Sequence, residues 1–173
     1  MLLTKKSDGV VAAGPRLRRL GGTVLPTMDR RTFLRRSGLV AGAGAFGTAL
    51  AVALAKGGRE VRLWARDPDQ VRHMRETGRN DPALPGVNLP KNVSIHAEIG
   101  EICHGQALLL AMPMQALGGA LDTWPQIDGR QPLVACCKGV DLTTLRGPVA
   151  VIEARRPGAQ AAILTGPSFA ADI

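Results

Sequence analysis

Three glycines carry the clearest chemistry in this sequence. Gly42, Gly44 and Gly47 lie in Gly42-Ala43-Gly44-Ala45-Phe46-Gly47, the spacing G-x-G-x-x-G. At a dinucleotide pyrophosphate each is needed for a different reason. The first permits a tight turn out of a strand, the second lets backbone approach the phosphates, and the third lets the next helix pack closely on the sheet. An anion seated there meets the unpaired N–H groups of the helix's first turn and the positive end of its dipole. Arg66 follows Gly42 by 24 positions, where the end of a second strand meets the adenosine ribose. The carboxylate that would select NAD is missing at that strand end, and an arginine can pair with a ribose 2′-phosphate, so NADP is accepted. A plainer reading makes Arg66 an exposed turn residue and Asp67 the cap of a helix starting at Pro68, and the two readings are compatible.

In an apolar, glycine-rich stretch the G-x-G-x-x-G spacing is weak by itself, so its context decides. Residues 39–41 fit a short buried strand, and residues 48–56 are rich in helix-forming Ala and Leu and stop at Gly57-Gly58. Residues 60–65 alternate polar and apolar until Arg66-Asp67-Pro68 breaks them. Strand, glycine turn, helix, strand is the context the fingerprint requires. Further strands are expected at 93–96, 107–112, 132–137 and 161–164. Helices are expected at 114–124 and at 142–155, the latter interrupted at Gly147-Pro148. Continuous apolar strands separated by helices predict a mainly parallel sheet covered on both faces, an α/β doubly wound fold of Rossmann type. Ligands gather at the carboxyl ends of such strands. Three of those ends carry notable residues: Met112-Pro113, Lys138-Gly139 and Gly166-Pro167-Ser168-Phe169-Ala170.

The 173 residues hold 22 Lys+Arg against 14 Asp+Glu, a formal net charge of +8. Residues 1–37 account for nine of the basic and two of the acidic side chains, leaving thirteen and twelve in residues 38–173. Nucleic-acid binders carry positive charge on a folded face interleaved with aromatics. The near-neutral body of this chain, which has no Tyr, three Phe and two Trp in all, makes nucleic acid an unexpected partner. Residues 1–37 read as a basic, disordered leader, and 38–173 as one dinucleotide-binding domain large enough to bury a core. Cys103, Cys136 and Cys137 give neither a disulfide framework nor metal-ligand spacing, and His73, His96 and His104 share none either. No metal is expected, and a reducing compartment, the cytoplasm, is. The rival is export: residues 29–36, with Arg30-Arg31, resemble a twin-arginine signal. The uncharged run 38–55 approaches transmembrane length and ends in Ala53-Leu54-Ala55, shaped like a signal-peptidase site. Four glycines in the first ten residues of that run weaken a membrane helix, and an export signal has no need of the strand at 60–65, so no membrane span is expected.

Taken together, GAGAFGTALAVALA, REVRLWARDP, RNDPALPGVNLP, ACCKGV and LTGPSFA resemble the amino-terminal domain of bacterial NAD(P)-dependent glycerol-3-phosphate dehydrogenases, from Gly38 to Ile173. The resemblance implies hydride exchange between NADP or NAD and the pair sn-glycerol 3-phosphate and dihydroxyacetone phosphate, a reaction that supplies glycerophospholipid precursors. It places Ala45 and Phe46 beside the cofactor, Phe46 standing where family members commonly have Trp, and Arg66 at the adenosine end. It makes Lys138 a contact of both cofactor and substrate, has Gly166 and Ser168 hold the glycerol phosphate, and lays Ala170 against the cofactor. A cation at Lys138 suits a phosphorylated substrate and a carbonyl gaining negative charge, and Ser168 offers a hydroxyl beside the N–H groups of a glycine turn. Lys138 also fits a solvated turn, and Ser168 a helix N-cap. In the family the acid–base lysine belongs to a helical second domain after GPSFA. The chain is therefore expected to be an amino-terminal fragment with no catalytic residue of its own and little turnover. Its implied partners are that domain and, in the full-length enzyme, a second subunit in a homodimer. Three alternatives stay open: another Rossmann reductase of 3-hydroxyacid dehydrogenase or ketopantoate reductase type, a nucleotide-binding module without turnover, and the exported protein.

Overall fold

A strand covered on both faces can be short and wholly apolar, and three segments of this chain are buried at every position: Leu39–Ala41, Leu108–Leu110 and Leu133–Ala135. The computed structural model describes residues 11–12, 38–127 and 131–165. In chain order they form β1 (Val11–Ala12), β2 (Leu39–Ala41), α1 (Ala45–Lys56), β3 (Val61–Trp64), α2 (Pro68–Thr77) and β4 (Val93–His96). A 3-10 turn (Ile99–Ile102) leads to β5 (Leu108–Leu110), α3 (Met114–Thr123), β6 (Leu133–Ala135), α4 (Pro148–Arg155) and β7 (Ala161–Thr165). The sheet order is β1-β7-β6-β5-β2-β3-β4. Strands β2 to β7 pair in parallel throughout, and β1 alone is antiparallel, against β7. The chain walks outward from β2 to β4, then returns to begin again at β5 on the other flank of β2. The gap between the carboxyl ends of β2 and β5 is therefore the topological switch point, where a doubly wound sheet opens a crevice.

Side chains alternate between two cores. Val40, Leu63, Leu109 and Val134 meet Leu50 and Leu54 of α1 and Val71 and Met74 of α2. Leu39, Leu108, Leu110 and Leu133 meet Met114, Leu117 and Leu121 of α3 and Val151 and Ile152 of α4. Each fully buried leucine contributes about 1.5–3 kcal/mol of transfer free energy, so the central strands hold the crevice edges rigid.

Two expectations need correction. The helix after the glycine turn begins at Ala45 rather than 48, which puts Ala45 and Phe46 in its first turn. The helix expected over 142–155 is confined to Pro148–Arg155. Before it Asp141 closes a turn: its carboxylate accepts from Thr144 N–H and Oγ1–H, its own N–H donates to the Arg146 carbonyl, and Leu145 takes φ 54°. Proline at the first helical position then starts the helix afresh. Within the leader, Val11 and Ala12 pair with Thr165 and Leu164; the rest of residues 1–37, including Arg30-Arg31, lies outside the described residues. The run 38–55 is divided between β2, the turn and α1, and among the described residues no helix is long and apolar enough to cross a membrane.

Candidate functional site

The glycine turn sits at the switch point. Gly42 leaves β2 with φ 119°, and a Cβ there would stand 2.2 Å from the Ala111 carbonyl oxygen at the end of β5. A Cβ on Gly47 would stand 1.9 Å from the Gly42 carbonyl oxygen and 3.1 Å from the Ala111 Cβ. Both positions are closed to any side chain, because β2, α1 and β5 converge there. Gly44 differs. Apart from Gly44 and its chain neighbours, no described atom lies within 4 Å of where its Cβ would be, and Gly44 and Ala45 are exposed. The first and third glycines therefore serve packing, and the second leaves open space at the mouth.

Gly44 is the N-cap of α1, in extended backbone (φ −72°, ψ −179°), with no side-chain cap and no acidic residue in the first turn. The first intrahelical bond runs from Thr48 N–H to the Gly44 carbonyl. Among the described residues no side chain pairs with the N–H groups of the first turn, and a helix end in that state fits an anion. Phe46 is half-buried against the core beneath α1. These features fit a dinucleotide pyrophosphate at Gly42, Gly44, Ala45, Phe46 and Gly47.

The turn is anchored from outside by residues that sequence pattern alone leaves without a role. Asn80 is fully buried; its Nδ2 donates to the Ala43 carbonyl at 2.9 Å and to Thr48 Oγ1 at 2.7 Å. Gln70 Nε2, from α2, donates to the same carbonyl at 2.8 Å and to Asn80 Oδ1 at 3.1 Å. Asn92 Nδ2 reaches the other end of α1, donating to the Ala55 and Arg59 carbonyls at 2.9 and 2.5 Å. The segment RNDPALPGVNLP, notable in the sequence only for its resemblance, therefore fastens the start of α1 through Asn80, and Asn92, two residues past that segment, fastens its end.

Arg66 lies just past β3, exposed, with no ion pair to any carboxylate among the described residues. Asp67 caps α2, accepting from Asp69 N–H at 2.9 Å ahead of Pro68, so the plainer reading of Asp67 holds and leaves Arg66 turned to solvent. Lys138 is exposed three residues past the end of β6. The following loop is tied to α3 by Gln115, whose Nε2 donates to the Val140 carbonyl at 2.8 Å and whose Oε1 accepts from Leu142 N–H at 3.0 Å. The structure thus gathers the glycine turn, Arg66 and Lys138 at the carboxyl ends of the parallel strands. Gly166, Ser168 and Ala170 lie outside the described residues, past β7, whose carboxyl end is on the same edge.

The cysteines take no part in the mouth. All three are buried and unpaired, and burial pushes the Cys136 thiol up to about 12, with the neighbouring Cys137 adding to the rise. His96 bonds to Ser94 and Glu101 at the end of the edge strand β4. No group of three or more His, Cys, Asp or Glu among the described residues could hold a metal.

A parallel, doubly wound sheet with an uncapped helix and a glycine turn at its switch point defines a dinucleotide-binding domain of Rossmann class. Similarity to known proteins narrows this. Residues 39–173 match the family described as NAD-dependent glycerol-3-phosphate dehydrogenase N-terminus, and the chain belongs to that family. It is 51% identical over 134 residues to glycerol-3-phosphate dehydrogenase [NAD(P)+] of Paracoccus denitrificans, across 78% of this chain and 40% of the relative. With the enzyme of that name from Cereibacter sphaeroides identity is 53% over 137 residues, across 78% and 39%. The crystal structure of glycerol-3-phosphate dehydrogenase from Coxiella burnetii superposes with a TM-score of 0.69 at 29% identity, across 76% of this chain and 41% of that one. The chain thus spans about two fifths of the length of the curated relatives it matches.

Proposed function

We propose that this chain is the cofactor-binding part of an NAD(P)-dependent enzyme that interconverts sn-glycerol 3-phosphate and dihydroxyacetone phosphate. One observation carries the reading: the N-terminus of α1 opens at the β2/β5 switch point, with Gly44 bare and no capping side chain or acid in its first turn. A nicotinamide dinucleotide, NADP or NAD, supplies hydride transfer when bound. The chain's own residues bind and orient: the N–H groups of the first turn take the pyrophosphate, Arg66 pairs with a 2′-phosphate, and Ala45, Phe46 and Ala170 border the cofactor. Lys138 brings a positive charge to the phosphorylated substrate and to the carbonyl oxygen that becomes negative, and Gly166 and Ser168 hold the glycerol phosphate. The acid–base lysine and the rest of the pocket belong, in this reading, to a helical domain that follows the GPSFA motif. Such an enzyme works as a homodimer in the cytoplasm.

Calorimetric titration with NADPH tests the reading. Wild type is expected to bind, and Gly44→Val, whose Cβ enters open space at the mouth and carries two methyls toward the pyrophosphate, is expected to lose binding. Equal affinities would show that the glycine turn is not the cofactor site.

A further inference from the structure

The carbonyl of Ala43 receives two side-chain amides, from Gln70 at 2.8 Å and Asn80 at 2.9 Å. They arrive from 27 and 37 residues away in sequence. In a planar trans peptide the C=O of one residue and the N–H of the next point in opposite directions. The Ala43 carbonyl is held inward, toward the buried Asn80, so the N–H of Gly44 is turned away from Asn80, and Gly44 itself is exposed. Were this peptide to flip, the same spot would present a carbonyl oxygen, an acceptor that repels an anion. A turn whose glycines leave φ and ψ loosely restricted needs something else to choose between those two states. Asn80 also donates to Thr48 Oγ1 at 2.7 Å, which ties the same amide to the first turns of α1.

We propose that Asn80 and Gln70 are positioning residues that set the polarity of the anion site, holding the Ala43–Gly44 peptide with its N–H toward the pyrophosphate. The inference rests on the reading of the glycine turn as the cofactor site, and it gives a role to two residues outside the G-x-G-x-x-G motif. Neither touches the cofactor; each acts through one peptide plane.

The test uses the whole chain, with NADPH and inorganic pyrophosphate as probes and urea unfolding as the check on folding. Gln70→Met removes one donor at a half-buried helix position while keeping the side chain's length, and Asn80→Leu removes the other. Gln70→Met is expected to stay folded yet bind NADPH about fivefold more weakly, and Asn80→Leu at least tenfold more weakly. If Asn80→Leu fails to fold, Gln70→Met carries the test alone. In a 1H–15N spectrum the Gly44 amide is expected to move when pyrophosphate is added to wild type and to stay unmoved in Gln70→Met, a readout that simple loosening of the fold would not give. A folded Gln70→Met with NADPH affinity within twofold of wild type and a normal Gly44 response would overturn the inference. Wild type that fails to bind NADPH would overturn the cofactor reading itself, and with it this one; binding lost in Gly44→Val but unchanged in Gln70→Met would sink the positioning role alone.

Discussion

Replacing Gly44 with aspartate should move stability and cofactor binding in opposite directions. Gly44 has N-cap backbone, φ −72° and ψ −179°, open space around its Cβ position and no acid in the turn that follows. An aspartate there can accept from the N–H groups of Phe46 or Gly47. Asp improves on Gly at an N-cap by only a few tenths of a kcal/mol, but its charge at the dipole's positive end adds about 0.3–1 kcal/mol. Removing glycine's freedom from the unfolded chain adds about 0.4–1 kcal/mol more. The expected gain is therefore about 1 kcal/mol in urea unfolding. The same carboxylate occupies the donors that the pyrophosphate needs and brings a like charge against it. Hydrogen bonds to a charged group are worth about 1.5–3 kcal/mol each, so losing two corresponds to more than a hundredfold in affinity, read by NADPH fluorescence titration. Gly44→Asn caps without the charge and should fall between. A Gly44→Asp chain destabilised by 1 kcal/mol or more, or one that binds NADPH within about threefold of wild type, would refute the picture of an open, anion-seeking helix end.

Gly47→Ala should destabilise the fold by about 1–3 kcal/mol despite alanine's higher helix propensity, because its Cβ would meet the Gly42 carbonyl at 1.9 Å; urea unfolding of the two proteins checks this. Arg66→Asp should shift the NADP/NAD affinity ratio toward NAD, measured by paired titrations, since a repelling charge replaces a compatible one. The contribution of Cys136 to stability should hold level below pH 9 and fall above it. The unfolded Cys136 thiol ionises near 9.0 while the folded one waits until about 12, so the folded state holds the extra proton and loses up to about 1.4 kcal/mol per pH unit across that window. Cys136→Ala should flatten the alkaline slope of urea midpoints. Joined after Ile173 to the remaining portion of the Paracoccus relative, the chain should oxidise NADPH with dihydroxyacetone phosphate; in that hybrid Lys138→Ala should cut turnover sharply and Lys91→Ala should not.

Much of this architecture is legible in short-range pattern. Leu39–Ala41, Leu108–Leu110 and Leu133–Ala135 are apolar at every position because both faces of a parallel sheet are covered, and Gly42 and Gly47 stand where backbones converge. What escapes such reading depends on cap and turn geometry or on distant parts of the chain. The start of α1 at Ala45 is set by Gly44 as an extended N-cap, invisible in a run where Ala and Gly alternate. Leu142 and Leu145 suggest a helix by type, yet they are 72% and 76% exposed, because Asp141 captures Thr144 in a turn and Pro148 restarts the chain. Asn80, flanked by Arg79 and Asp81-Pro82, reads as an ordinary loop polar; only the docking of its segment against α1 buries it. A signal was present, since RNDPALPGVNLP stands out as a block, but what the block does follows from tertiary contacts alone.

The central claim, that the switch-point turn of this chain is a dinucleotide site, is tested most directly by mapping NADPH onto the amides of the intact chain with 1H–15N spectra. Shifts concentrated at residues 42–47 and at the ends of β3, β5 and β6, near Arg66, Ala111 and Lys138, are the predicted result. Saturating NADPH that leaves residues 42–47 unmoved, or that perturbs only the opposite, amino-terminal edge of the sheet, would contradict it.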